Sequence, residues 1–459
     1  MSSLFKNLRI HQIFGANTDV GKTILTTALV RASALSNIPA HYLKPVSTGP
    51  IQDADDRHVK RFAPSIRDVD IRAHCLFRYD EPVSPHLAAR LSNRQADVPS
   101  DEVFVTAVAQ HIRHTAQHTH KYAHMYVETA GGINSPTLSG TTQVDAYRPL
   151  FLPTVLIGDG KLGGISTTIS SYESLLLRGY MIDLVLLFKD AYYRNFEYLT
   201  PYFLERSIRV LSVESPHNRL ADPNEERVEM VNYYARLTPE SLQGGMFEAL
   251  NHLDERHASR IWSLCLNGLR TRSGGHINVI DSASKDFFSI YTGHKPDSTP
   301  PSSDEHAAAP KCLLEPQLDG SASWWTQALG HAHPMLTLAA ARAAGRYGHV
   351  MFPEATHAPA LRLAERLVRD GPGAGWASRA FFSDDGSTGM EVAIKMALRA
   401  YAARNPAATA GGVRRKDLGV LGLKGSYHGD TIGAMDACEE GVYTCEWHDA
   451  KGYWLDPPT

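Results

Sequence analysis

Apolar positions in the first half of the chain fall into two alternating kinds of segment. Short runs of strand length recur at Arg9 to Phe14, His41 to Lys44, Met125 to Glu128, Pro153 to Gly158 and Leu184 to Phe188. Between them, Ile24 to Leu35, Val103 to Ile112 and Ile165 to Arg178 carry apolar residues at helical spacing. Strands alternating with helices predict an α/β fold with a mostly parallel sheet, helices on both faces, and ligands at the carboxyl ends of the strands. Lys44, Glu128 and Asp159 fall at such ends.

The pattern changes further along. Pro216 to Glu240 is polar and broken by prolines, which places a domain boundary near Leu237 and divides the chain into 1–237 and 238–459. His294 to Pro310, rich in proline, serine, alanine and acidic residues, reads as a surface loop. Order resumes at Leu318, with Trp324-Trp325, the segment Phe382 to Thr388, a helix from Met390 to Tyr401, and Tyr427-His428-Gly429.

At 459 residues the chain is long enough for two or three domains, each with its own core. A net charge of −3 argues against nucleic acid or an anionic membrane as the main partner. The five cysteines show no C-x-x-C spacing, so zinc is not expected and a reducing, cytoplasmic or mitochondrial setting is. Met181 to Phe188 is too short for a membrane span, contains Asp183, and reads as a buried strand. With a first strand near residue 9, no secretory signal or ordinary transit peptide is expected in a chain whose N-terminus is intact.

The chemistry starts at Gly15-Ala16-Asn17-Thr18-Asp19-Val20-Gly21-Lys22-Thr23, set between a strand and a helix. Small residues let successive backbone N–H groups curl round phosphate oxygens, Lys22 reaches the outer phosphates, and Thr23 offers a hydroxyl to Mg²⁺. The loop carries one residue more than the usual spacing, and Asp19 lies among the phosphate-binding positions. A carboxylate beside phosphates is unfavourable unless a cation binds it, which points to a second, amine-bearing ligand. The metal needs further hard oxygens. Glu128, before Ala130-Gly131-Gly132, and Asp55, within the cluster Asp53 to Asp56, are the candidates. His111, His114, His118, His120 and His124 lack carboxylate or thiol neighbours and read as a solvated face rather than a metal site.

In order and spacing, the phosphate loop, Tyr42-Leu43-Lys44-Pro45-Val46-Ser47-Thr48-Gly49, Pro82-Val83-Ser84-Pro85-His86, Val127-Glu128-Thr129-Ala130-Gly131-Gly132 and Lys161-Leu162-Gly163 resemble dethiobiotin synthetases over about residues 9 to 188. The resemblance implies a P-loop fold, and an ATP- and Mg²⁺-dependent ligase that closes a cyclic urea from diaminopelargonate and CO₂ or bicarbonate. It implies catalytic roles for Lys22 and Lys44. ATP would contact Asp19, Val20, Gly21, Lys22, Thr23, Asp55, Glu128, Thr129, Ala130 and Gly131; Thr18, Asp19 and Thr48 would face the substrate; Thr23, Asp55 and Glu128 would hold the metal. A homodimer is also implied. The departure is that Phe188 to Asn195 stands where the family keeps the asparagine of its adenine pocket.

Ser323-Trp324-Trp325, Gly348 to Phe352, Thr356-His357-Ala358-Pro359, Asp385-Gly386-Ser387 before Glu391 to Ala397, and Tyr427 to Thr431 resemble diaminopelargonate aminotransferases, fold-type I enzymes of class III. Gly386 and Ser387 opening a helix suit a cofactor phosphate, and the Tyr427 ring suits stacking on a pyridine. The resemblance implies pyridoxal phosphate there, with Trp324 and Trp325 lining the substrate pocket; by themselves these tryptophans read as core residues. Lys424 and Lys451 match no Schiff-base context, so an incomplete aminotransferase domain without transamination is expected. A P-loop ATPase switch that binds a protein partner, with the second half a docking module, is the alternative.

Overall fold

A computed structural model of the chain describes residues 5, 7–64, 66, 69–92, 98–217, 220–243, 279–291, 312–351, 354–406, 417–441 and 450–458. The chain divides into two compact units, Met1–Gly348 and His349–Thr459. The expected loop from His294 to Pro310 lies outside the described residues.

The first unit contains strands β1 Leu8–Gly15, β2 Ala40–Thr48, β3 Ile71–Tyr79, β4 Ala123–Gly132, β5 Thr154–Ile157, β6 Ile182–Lys189 and β7 Arg209–Glu214. They form one parallel sheet in the order β3-β2-β4-β1-β5-β6-β7. The helices are α1 Lys22–Leu35, α2 Asp55–Phe62, α3 Pro85–Leu91, α4 Asp101–Gln117, α5 Gln143–Ala146, α6 Gly164–Leu177, α7 Asn195–Leu204, α8 Pro223–Ala235 and α9 Pro239–Gln243.

Successive strand residues point to opposite faces, so a strand covered on both sides must be apolar throughout. That is why the central strands read as short continuous apolar runs. Ile13, Tyr42, Tyr126, Val155, Ile157 and Leu186 pack on one face with Leu25, Leu29, Val59, Phe62, Tyr233 and Leu242 from α1, α2, α8 and α9. Phe14, Leu43, Val127, Leu156, Val185 and Leu187 pack on the other with Phe104, Val108, Tyr172, Leu175, Leu199 and Phe203 from α4, α6 and α7. Truncating one of these, Leu156→Ala for example, would cost about 2–5 kcal/mol.

Two strands and several helices lie outside the sequence-based assignment. β3 mixes Arg72, His74, Cys75 and Arg78 into its apolar positions, and among the described residues only β2 pairs with it. β7 is short and half-buried at the other edge. Both edges therefore carry weak hydrophobic signals. The polar stretch from Pro216 to Glu240 contains α8, capped by the Asp222 carboxylate, which accepts from Asn224 N, with Pro223 in its first turn and Met230, Tyr233 and Tyr234 buried.

The unit also runs past Leu237. Strands β8 Ile280–Ser284, β9 Phe287–Tyr291 and β10 Leu314–Leu318 form an antiparallel sheet, and Tyr291, Leu313 and Leu314 join Phe5 in the core. In the second unit, helices Ala358–Arg369 and Gly386–Arg404 accompany the parallel pair β11 Val420–Leu423 and β12 Gly452–Leu455. Among the described residues, no helix is long and apolar enough to cross a membrane.

Candidate active site

The phosphate loop sits at the carboxyl end of β1, central in the sheet. Ala16 N donates to Ile157 O at 2.8 Å and Ser171 Oγ donates to Ala16 O at 3.2 Å, fixing the loop to β5 and α6. Gly21 caps α1 at φ 82, and a Cβ there would lie 2.2 Å from the Phe188 ring. Only glycine tolerates both the left-handed conformation and that approach. A Cβ on Gly15 would lie 2.9 Å from Lys22 Nζ, so the lysine folds back over bare backbone, where its ammonium donates to Asn17 O at 3.3 Å. Burial, then the nearby Lys44 ammonium, push the Lys22 pKa down to about 8. Phosphate oxygens would supply the compensating negative charge.

Beside the loop, four side chains from different elements converge. Lys44 on β2 places Nζ 2.7 Å from Asp55 Oδ2 in the first turn of α2 and 2.8 Å from Glu128 Oε1 on β4. It also donates to Thr129 O at 3.2 Å. Thr23 Oγ1 lies 2.6 Å from Asp55 Oδ1 and 3.0 Å from Glu128 Oε1. Burial opposes the charge on Lys44, but Asp55 and Glu128 overcome it and raise the Lys44 pKa above its ordinary value. Burial likewise works against the Asp55 carboxylate, and Lys44 reverses that, leaving Asp55 acidic. Removing one partner from such a buried cluster would cost about 3–5 kcal/mol, because the others keep uncompensated charge.

Thr23, Asp55 and Glu128 also fit a divalent cation. They offer hard oxygens on three elements, and Glu128 Oε2 is buried with no hydrogen-bond partner among the described residues. No group of three or more His, Cys, Asp or Glu residues among the described residues is arranged for a metal. Two carboxylates and a hydroxyl, completed by phosphate oxygens and water, suit Mg²⁺ better than zinc.

The remaining sequence-derived residues fall around this centre with differing roles. Asp19 and Thr18 are exposed at the tip of the loop, Asp19 at φ 35, and Thr18 approaches Gly131, which has φ 73. Val20 is buried against the α1 face. Thr48 ends β2 opposite Tyr79, and Ala130 and Gly131 are half-buried at the end of β4. The Thr129 hydroxyl is committed to Ile13 O at 2.9 Å, so that side chain ties β4 to β1. Asp159 accepts from Lys161 N at 2.9 Å, while Asn195 donates to Asp159 O and Lys161 O at 3.0 and 2.7 Å. The segment Phe188 to Asn195 thus supports the phosphate loop and the approach to α6, and β6 is followed by the further strand β7.

Sequence reasoning missed two supports of the site. Arg78, at the end of β3, pairs with the buried Asp56 and so holds the first turn of α2, from which Asp55 projects. Tyr42 is fully buried on the face shared with Glu128, whose charge, after burial itself, raises the tyrosine's pKa. Alternation along β2 and β4 was the available signal: Tyr42 pairs with Tyr126, two residues before Glu128. The histidines do not form one solvated face. His124 is buried on β4, with Nδ1 2.9 Å from Ser33 Oγ, while His111 packs against His74.

In the second unit the Asp385 carboxylate accepts from Thr388 N at 2.8 Å and caps the helix that Gly386 opens; space beside Gly386 is open. Asp430 N donates to Ser387 Oγ at 3.2 Å, which brings the Tyr427–Asp430 loop onto the helix start, with Tyr427 55% exposed. These residues fit the phosphate and ring of pyridoxal phosphate. Lys424 pairs with Asp456 and Lys451 with Asp436. Trp324 and Trp325, in the first unit, are 80% and 81% exposed, which corrects their reading as core residues.

A family model described as an AAA domain matches residues 12–216, and one described as aminotransferase class-III matches 315–452. The bifunctional dethiobiotin synthetase/adenosylmethionine-8-amino-7-oxononanoate aminotransferase of Emericella nidulans is 43% identical over 481 residues, covering 100% of this chain and 57% of the relative. The mitochondrial bifunctional dethiobiotin synthetase/7,8-diamino-pelargonic acid aminotransferase of Oryza sativa subsp. japonica is 35% identical, covering 97% of this chain and 59% of the relative. The adenosylmethionine-8-amino-7-oxononanoate aminotransferase of Mycobacterium leprae is 39% identical over 133 residues, covering 29% of this chain and 28% of the relative. The chain therefore spans less than two thirds of the length of the bifunctional relatives it matches. It is a homologue of the bifunctional dethiobiotin synthetase/aminotransferase proteins over essentially its whole length, with a P-loop domain followed by a class-III aminotransferase domain.

Proposed function

We propose that the P-loop part of this chain closes the ureido ring of dethiobiotin from diaminopelargonate, CO₂ and ATP, a ligase step of biotin biosynthesis. The observation that carries the reading is Lys44, a second buried ammonium 2.7 and 2.8 Å from the two carboxylates beside the phosphate loop. A P-loop switch needs Lys22, Thr23 and a carboxylate, but has no use for this cation.

In the reaction, one substrate amine adds to CO₂ and loses a proton, forming a carbamate. A carbamate oxygen attacks the γ-phosphorus as the bond to ADP breaks. The neighbouring amine then attacks the carbamoyl carbon, losing a proton and expelling phosphate. Lys22 and the N–H groups of the loop hold the transferred phosphoryl group, and Lys44 holds the carbamate against it, so positioning and charge neutralisation do most of the work. Thr23, Asp55 and Glu128 would hold Mg²⁺, which supplies neutralising charge at the phosphate oxygens. Thr18, Asp19 and Thr48 are assigned to the diamine, and the Asp19 carboxylate suits an ammonium. The remaining nucleotide contacts are assigned to Val20, Gly21 and the backbone of Thr129, Ala130 and Gly131.

We place the functional division near Leu237 and assign the following part to the aminotransferase, with Gly386, Ser387 and Tyr427 holding pyridoxal phosphate and Trp324 and Trp325 in the substrate pocket. That cofactor would supply the electron sink for amine transfer, but Lys424 and Lys451, paired with Asp456 and Asp436, match no Schiff-base context, so transamination by this chain is not expected. Homodimer formation and a mitochondrial or cytoplasmic location complete the proposal; the rice relative's name includes "mitochondrial". Incubation with ATP, diaminopelargonate and carbon-labelled bicarbonate should place the label in dethiobiotin. An unlabelled ring, or no ring, would contradict the assignment.

A further inference from the structure

Asp55 and Glu128, two of the three side chains assigned above to the metal, already hold a cation. Lys44 Nζ donates to Asp55 Oδ2, Glu128 Oε1 and Thr129 O at 2.7, 2.8 and 3.2 Å, so all three of its N–H bonds are used. Thr23 Oγ1 touches the same two carboxylates at 2.6 and 3.0 Å. The Glu128 side chain is fully buried and that of Asp55 is 27% exposed. Two carboxylates sharing such a site cannot both stay ionised without a positive charge between them.

A divalent cation bound by these oxygens would stand about 2.0–2.1 Å from each of them, which is the space the ammonium fills. Two cations cannot share it. We propose that Lys44 is a built-in counter-cation that occupies the metal position in the nucleotide-free protein and leaves it when the metal enters. Its flexible four-carbon stem allows the ammonium to turn from the carboxylates toward phosphate oxygens without moving β2. The exchange is favourable only when nucleotide offers the displaced ammonium a new partner, so metal and ATP bind cooperatively while metal alone binds weakly. This rests on the assignment of Thr23, Asp55 and Glu128 as the metal site.

The test is Mn²⁺ binding, read by the electron-spin resonance of the free ion, in the full chain with and without a non-hydrolysable ATP analogue. Lys44→Met should bind Mn²⁺ about tenfold more tightly than wild type without nucleotide, and the analogue should add less to its affinity than it adds to wild type. Wild-type binding in the presence of the analogue, with no gain in Lys44→Met alone, would overturn the counter-cation role and leave the metal site standing. Absence of binding in both proteins, with and without the analogue, would overturn both. Peptide-resolved acetylation of the wild-type chain guards against misfolding of the variant: Lys44 labelling should rise as Mg²⁺ saturates the protein, and unchanged labelling would also overturn the proposal.

Discussion

The helix α6 in the first unit and the helix Ala358–Arg369 in the second are of similar length and both carry apolar residues at helical spacing, yet their burial differs. Tyr172 and Leu175 of α6 lie in a core shared with α4, α7 and the sheet, whereas Leu361 and Leu363 of the second helix are about half exposed. The contrast extends to the whole units. The first has an apolar cluster on each face of a seven-stranded sheet; in the second, the buried residues other than glycine among those described are Ala360, Ala402, Ala434, Ala437 and Cys438. Helical periodicity sets which face is apolar, but burial depends on a sheet or helix that covers it, and hydrophobic stabilisation follows the covered area.

The largest expected difference is in backbone protection. Amides of β1, β4 and β5 should exchange only on global unfolding, while those of Gly386–Arg404 should open at least about a thousandfold more readily in the isolated chain. Comparable protection in both units would show that the second unit's helices are covered as well as the first's. Next in size, Lys22→Ala should lower ring closure by about 10²–10³-fold, the effect of deleting one donor to developing charge, with unchanged exchange in the sheet. Activity within tenfold of wild type would remove Lys22 from its role. Gly21→Ala should destabilise the first unit by about 1–3 kcal/mol through left-handed strain alone, with crowding of Phe188 added, and denaturant melts should show it.

Acid should separate the units by a smaller amount. Burial pushes the pKa of His41 down to about 4 and that of His124 to about 3, below the ordinary value near 6.5. The folded unit therefore binds fewer protons than the unfolded chain between those values. Stability is fully present above about pH 6.5 and is lost as pH falls toward 4, by about 1–2 kcal/mol per histidine at pH 5. Thermal melts at pH 7 and pH 5 should show the loss in the first unit, and His124→Gln should reduce it. A melting temperature independent of pH over that range would contradict the buried neutral histidines.

Much of the first unit was legible because its central strands are apolar on both faces and its loop glycines are punctuated by Lys22 and Thr23. Lys44, Asp55 and Glu128 were found from strand ends, an acidic cluster and family resemblance, and the fold brings them together. What stayed hidden depends on neighbours rather than on local pattern. β3 and β7 are edge strands with mixed polarity, and α8 lay in a segment whose prolines suggested a linker, although Asp222-Pro223 is a helix-start signal. Arg78 on β3 reaches Asp56 on α2, which no spacing reveals.

In the proposed reaction the two lysines, Lys22 and Lys44, couple ATP to a diamine and CO₂. Phosphate release from ATP should be measured with the diamine and bicarbonate present together and each withheld in turn, for wild type and Lys44→Ala. Release that requires both co-substrates in wild type, and falls by about 10²–10³-fold in the variant, is the predicted result. Release at the same rate without the diamine would rule out that coupling.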